Sequence, residues 1–253
     1  MKVTNNIKIW SSLGMRATFG LIAIELAKKY PDLIITTSDV STSAGLDRFK
    51  NKFPDQYIDV GIAEQNLIGV STGLSSEGFK VISTTFAPFQ TLRCCEQIKV
   101  NLGYMKHKIC MVGLASGLVL GNLGFTHCSI EDIGVLRSIP NLTIISPSDC
   151  LETAKAVEAS IKHHESVYIR LTGGANNPIV NFEDYKFMDS LPVFGGIYDN
   201  SNFCSENIEA RLFNIGVWLS EEVPLILFAC SKSFSAFSRS PRLLKIKLRL
   251  AIL

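Results

Sequence analysis

The run Asp59-Val60-Gly61-Ile62-Ala63-Glu64-Gln65-Asn66, which opens the stretch DVGIAEQNLIGVSTGLSSEGFKVISTTFAPF from Asp59 to Phe89, decides the fold. Tyr57 to Val60 is a short strand candidate that ends in the Gly61 turn. Ile62 to Ser75 then carries Leu67, Ile68, Val70 and Leu74 at helical spacing, and Gly69 and Gly73 allow a neighbour to approach closely. Lys80 to Thr84 is the next strand candidate. Strand, turn, helix and strand in this order form the repeating unit of a parallel sheet. Glu64 enters the first turn of the helix, at the carboxyl edge of the sheet where open α/β sheets bind ligands. By spacing alone it either faces such a site or complements the helix dipole, which is worth about 0.3–1 kcal/mol.

Outward from this stretch the same alternation runs from about residue 15 to residue 172. Leu33 to Thr37, Lys108 to Leu114, Leu142 to Ser146 and Val167 to Leu171 read as further short apolar strands. Helices are expected over Met15 to Lys29, with Phe19, Ile22, Ala23 and Leu26 on one face and Pro31 as the stop, and over Ile130 to Ser138 before Pro140. Ser148 is expected to cap another, running through Ala154, Val157 and Ile161. Ile109 to Ile130 has no charged residue and the length to cross a bilayer. Gly113, Gly117, Gly121 and Gly124, with Ser116, Asn122 and His127, make it a buried strand followed by a glycine-rich loop instead.

The whole chain of 253 residues is 47% apolar and 19% charged, which excludes a disordered tail, a collagen-like chain and a small stapled scaffold. With 25 Lys+Arg against 23 Asp+Glu, the net charge of +2 supplies no global field for nucleic acid or an anionic membrane. The 7 cysteines show no CxxC spacing and read as buried thiols in a reducing compartment. The N-terminal MKVTNNIKIWSSLG has no continuous apolar core followed by a cleavage site, so a cytoplasmic location is expected. His107, His163 and His164 carry no metal-ligand pattern, and no metal site is expected in this chain.

The stretch Asp59 to Phe89 resembles the pyrimidine-binding domain of transketolases and 1-deoxyxylulose-5-phosphate synthases. Further matches follow in the same order: Thr37-Ser38-Asp39-Val40, Gly124-Phe125-Thr126-His127, Ile130-Glu131-Asp132-Ile133, and the run from Ile139 to Asp149. Together they cover roughly residues 10 to 182. The resemblance implies thiamine diphosphate as cofactor, with Glu64 hydrogen-bonding the aminopyrimidine ring nitrogen. Proton sharing at that nitrogen favours the tautomer whose exocyclic nitrogen can deprotonate the thiazolium carbon.

The same resemblance implies that Phe86 and Phe89, in the loop after the third strand candidate, wall the pyrimidine, and that Asp39 lies near the cofactor. His127 matches a substrate-facing histidine, and Arg170 an arginine that binds a sugar phosphate through its bidentate fork. Arg93 is placed like a second anion-binding arginine of the synthase branch. Read as residues alone, the two phenylalanines fit an ordinary core, Asp39 a turn or cap, His127 a satisfied loop position, and Arg93 a surface pairing with Glu96.

Three departures qualify the match. Leu123 stands where many transketolases have the Asp of D-G-P-T-H, and leucine cannot accept a substrate hydroxyl. No Gly-Asp-Gly is followed some 25 to 30 residues later by Asn, the signature that holds Mg²⁺ and the diphosphate. The resemblance then implies that the metal ligands lie on a partner, a diphosphate-binding subunit that completes the cofactor cleft in an oligomer. Residues 186–253 do not resemble the C-terminal domain that split subunits add, and from Val223 to Leu253 no acidic residue occurs. A truncated, frame-shifted or divergent end fits; VPLILFAC (223–230) favours aggregation or oligomerisation, and PRLLKIKLRLAIL (241–253) fits an edge strand, a basic helix or an unfolded end.

The expected fold is a doubly wound, mostly parallel α/β domain over residues 1–185 with an incomplete or divergent segment over 186–253. The expected activity is that of a transferase: a two-carbon ketol unit moved between sugar phosphates, in concert with the diphosphate-binding subunit. The alternatives are a deoxyxylulose-phosphate-synthase-like condensation, with Arg93 then important, and a non-catalytic remnant or regulatory subunit, suggested by Leu123 and the tail.

Overall fold

A computed structural model of the chain describes residues 4–181 and 196–199. The chain divides into two units, Met1–Phe203 and Cys204–Leu253, and the second lies outside the described residues. So do the tail segments 223–230 and 241–253.

Two helices, α1 (Thr4–Leu13) and α2 (Met15–Lys29), lead into strand β1 (Leu33–Thr37). Helix α3 (Asp47–Lys52) precedes β2 (Tyr57–Asp59), α4 (Glu64–Ser76) and β3 (Lys80–Phe86). The short helices α5 (Ala87–Thr91) and α6 (Cys95–Ile98) and a π-helical turn (Lys99–Tyr104) come before β4 (Cys110–Leu114). Helix α7 (Asp132–Leu136), β5 (Leu142–Ser146), α8 (Cys150–Lys162), β6 (Ser166–Arg170) and β7 (Gly196–Asp199) complete the described α-helices and strands.

The sheet runs β2-β1-β3-β4-β6-β5-β7. Its first six strands are mutually parallel, and β7 adds to the β5 edge antiparallel. After β1 the chain lays β2 on one side and then β3 on the other, so the topological switch point of this doubly wound sheet lies between β1 and β3. At such a point the connections part to opposite faces and leave a crevice beyond the strands' carboxyl ends.

Strands β1 and β4 are buried along their whole length. Alternate residues feed two separate cores because successive side chains point to opposite faces. Val112 and Ile169 join one core with Phe19 and Leu26 of α2 and Val157 of α8. Met111, Ile144 and Tyr168 join the other with Ile68 of α4 and Ile98 of α6. Cover on both faces explains why these strands are continuously apolar rather than alternating. The Ile109 to Ile130 stretch is a buried strand and a loop, pinned where Gly117 and Ser129 exchange two backbone hydrogen bonds of 2.8 Å. Among the described residues no helix is long and apolar enough to cross a membrane.

Several boundaries differ from the sequence reading. Strand β3 extends past Thr84 because Thr85 and Phe86 pair with Gly113 and Leu114, so Phe86 ends a strand and Phe89 sits on α5 rather than in a loop. Helix α7 is shorter than Ile130 to Ser138: the amides of Ser138 and Ile139 bond to Val135 and Leu136 in three-residue turns that close it. The cap of α8 is Asp149, not Ser148. The Asp149 side chain accepts the Glu152 amide at 2.8 Å, while the Glu152 carboxylate accepts the amide of Ser148, one residue before the cap, at 2.7 Å.

Candidate active site

The carboxyl edge of β1, β2 and β3 is built from a knot of short polar contacts. Asp59, at the end of β2, accepts the amides of Asp39 and Gly61 through one carboxylate oxygen, both at 2.9 Å, and the Tyr57 hydroxyl through the other at 3.2 Å. Burial pushes the Asp59 carboxyl up, but these amides and the Thr37 and Tyr57 hydroxyls outweigh it and hold it below the usual carboxylate range. Ser38 donates to the Gly61 carbonyl and accepts the Ala63 amide at 3.1 Å. Gly61 has φ 73°, a conformation that favours glycine, and the chain thereby turns sharply from β2 into α4.

Glu64, the first residue of α4, is placed by this turn. Its side chain is 6% exposed and its carboxylate receives Nη1 of Arg93 at 2.8 Å. Arg93 follows α5 and lies with its guanidinium 4.1 Å from the centre of the Phe89 ring. Phe89 stands edge-on to Phe86, centroids 6.1 Å apart, and to His127 at 5.2 Å; Phe86 and His127 are 6.5 Å apart. The structure thus brings Glu64, Arg93, Phe89, His127 and Phe86 into one continuous set of contacts at the sheet's carboxyl edge. Beside it, the Cys94 thiol is pushed up to about 12 by burial and by the Glu64 charge, against the pull of Arg93, so it stays neutral.

The remaining expected residues are placed differently. Asp39 sits in the left-handed region with φ 54°, exposed, its amide bound to Asp59. Arg93 pairs with Glu64 rather than with Glu96. Arg170, at the end of β6, directs its guanidinium to Asp132 and Ser146. Leu123 is exposed on the loop that carries His127, as are Leu118 and Phe125, and Ile62 is exposed just before α4. Sequence reasoning missed Ser38 and Asp59 as organisers of the turn and Asp132 as the partner of Arg170. All three lay inside the quoted motif runs, but nothing in the spacing paired them.

A buried acidic group, flat aromatic walls and a histidine at a topological switch point suit a planar nitrogen heterocycle. Residues 11–177 match the model of the transketolase pyrimidine-binding domain. The chain belongs to the transketolase family. An apulose-4-phosphate transketolase subunit of Phocaeicola vulgatus is 35% identical over 176 residues, covering 70% of this chain and 56% of that one. A solved split-gene transketolase, an inactive beta4 tetramer, superimposes with a TM-score of 0.62 at 32% identity, over 70% of this chain and 56% of that one. More distant is a 1-deoxy-D-xylulose-5-phosphate synthase of Synechococcus, 30% identical over 166 residues, or 66% of this chain and 26% of that enzyme. The chain spans about half the length of the split-subunit relatives it matches.

Transketolases depend on thiamine diphosphate, and the donor set on this chain fits half of that cofactor. The buried carboxylate and the Phe86, Phe89 and His127 rings suit the aminopyrimidine. Among the described residues no group of three or more His, Cys, Asp or Glu side chains is placed to hold a metal ion with its diphosphate.

Proposed function

We propose that the chain is the pyrimidine-binding subunit of a thiamine-diphosphate-dependent transketolase that moves a two-carbon ketol unit between sugar phosphates, together with a separate diphosphate-binding subunit. The observation that carries this reading is the buried Glu64 carboxylate, joined through Arg93 to Phe89, His127 and Phe86 where the sheet switches topology. When bound, thiamine diphosphate supplies an acidic thiazolium carbon that serves as the nucleophile toward a ketose carbonyl.

The chain's own residues prepare that chemistry. Glu64 would hydrogen-bond the pyrimidine ring nitrogen, while Phe86 and Phe89 would orient the ring and exclude water. His127 is a donor toward sugar oxygens, Asp39 lines the cofactor edge, and Arg170 supplies positive charge for a phosphate. Arg93 bridges the Glu64 carboxylate and the Phe89 ring, so its guanidinium would have to give up this position for any planar ring that took the same face of Phe89. Mg²⁺ ligands belong to the partner, and the exposed Ile62, Leu118, Leu123 and Phe125 suit a second polypeptide covering this edge. Residues 1–185 form the pyrimidine-binding domain, 186–253 are a truncated or divergent C-terminal segment from which β7 joins the sheet, and the assembly works in the cytoplasm.

The test mixes the chain with the diphosphate-binding subunit and titrates thiamine diphosphate with and without Mg²⁺ by calorimetry, followed by a transfer assay. Saturable, Mg²⁺-dependent binding and ketol transfer without CO₂ release are expected. No Mg²⁺-dependent binding contradicts the proposal in favour of a non-catalytic subunit, and CO₂ released from pyruvate moves the chain to the synthase branch.

A further inference from the structure

Asp132 is wholly buried, a position where an ionised carboxylate survives only when its oxygens are satisfied. Here four donors meet it. The Tyr168 hydroxyl donates to Oδ2 at 2.9 Å and Nε of Arg170 to the same oxygen at 3.0 Å. Nη2 of Arg170 reaches Oδ1 at 3.3 Å, and the Ile133 amide donates to Oδ1 at 3.0 Å. Burial and the Asp132 charge hold the Tyr168 phenol well above its usual range, so the hydroxyl remains a donor. Room for it comes from Gly113 on the neighbouring strand, where a Cβ would lie 2.5 Å from the Tyr168 oxygen.

Asp132 therefore grips Arg170 side-on. The Nη1 edge contacts Ser146 Oγ at 3.4 Å, and the remaining N–H groups of Nη1 and Nη2 point away from the Asp132 side. Arg170 retains 14% exposure at the carboxyl end of β6. A guanidinium fixed on one side with a second pair of donors left over is pre-organised for an end-on bidentate anion.

Resting on the transketolase reading, we propose that Asp132, backed by Tyr168, is a positioning residue that fixes the Arg170 guanidinium for the phosphate group of the sugar substrate. Its effect is on selectivity for phosphorylated over unphosphorylated sugars, although it carries the charge opposite to that of a phosphate-binding group.

The experiment compares ribose 5-phosphate with ribose as acceptors for the complex of the full chain and its diphosphate-binding partner. In parallel, inorganic phosphate is titrated into the full chain while the ¹⁵N side-chain signal of Arg170 is followed. Asp132→Asn is expected to raise KM for ribose 5-phosphate about ten-fold or more, with kcat reduced far less and KM for ribose within about two-fold. It is also expected to abolish the Arg170 response to phosphate. Tyr168→Phe, which removes one hydroxyl and keeps the core, shifts the same ratio by about two- to five-fold and carries the test if Asp132→Asn does not fold. The proposal is overturned if both KM values rise together, if neither moves, or if Arg170 responds to phosphate alike in wild type and variant. Should the complex transfer no ketol unit, the transketolase reading fails and the phosphate titration alone decides. A wild-type response lost in Asp132→Asn then supports the positioning role, and no wild-type response overturns it.

Discussion

Glu64 and Arg93 form an asymmetric pair: the carboxylate is 6% exposed and the arginine 43%. A surface ion pair is worth about 0–1 kcal/mol, but stranding the buried member costs more. Arg93→Met is accordingly expected to destabilise the chain by about 1–2 kcal/mol, and Glu64→Gln to remove most of that penalty, since no buried charge then lacks its cation. Urea unfolding of the two single variants and the double variant measures the coupling; purely additive effects would show that the pair does no work in the fold. Glu64 itself was legible in the sequence, because a strand ending at a glycine turn forces the next helix to begin at the sheet's carboxyl edge. Its partner was not. Helical spacing suggests Glu96 as a neighbour of Arg93, and only the packing of α4 against the segment after β3 brings Arg93 to Glu64 instead.

Two elements owe their starts to single carboxylates. The β2–α4 turn depends on Asp59, whose pKa is held below its usual range. A group depressed in the folded state contributes stability that is present above its unfolded pKa, about 3.9, and is lost as pH falls through the lower folded value. The stability difference between wild type and Asp59→Asn should thus be full at pH 7 and shrink as the pH falls below the unfolded value and through the lower folded one, as followed by denaturant titration across pH. A pH-independent difference would show that the charge is not what matters. Helix α8 depends on Asp149, whose second oxygen also takes the amides of Val180 and Asn181 at 3.0 and 2.6 Å. Asp149→Ala should cost about 2–3 kcal/mol in urea unfolding, above the usual 0.5–2 for a cap, because three amides lose their acceptor.

The long alternating elements were readable because buried parallel strands and amphipathic helices leave periodic apolar patterns. Helices α5, α6 and the π-helical turn were not, since segments of four to six residues are too short to show a helical period and are held by tertiary contacts. One such contact is the bond from Gln90 to the Ser83 carbonyl. Strand β7 is four residues long and pairs with β5, a partnership set by the sheet edge rather than by local sequence.

Across the described residues, two apolar cores on opposite faces of one mostly parallel sheet fix the strands, and the switch point at their carboxyl ends follows from the order in which they are laid down. The switch between β1 and β3 places Glu64, the aromatic residues and His127 along one edge, with Arg170 ending β6 on the same edge of the sheet. That edge carries the proposed pyrimidine half of a cofactor site, which the proposed partner would complete. The most direct measurement is turnover of wild type against Glu64→Gln in the reconstituted complex at saturating thiamine diphosphate and Mg²⁺, with circular dichroism to show that the variant is folded. A fall in turnover of about 10²- to 10⁴-fold is expected for the loss of a positioned acid–base group. A folded Glu64→Gln complex that turns over within about two-fold of wild type, against that expectation, would contradict the assignment.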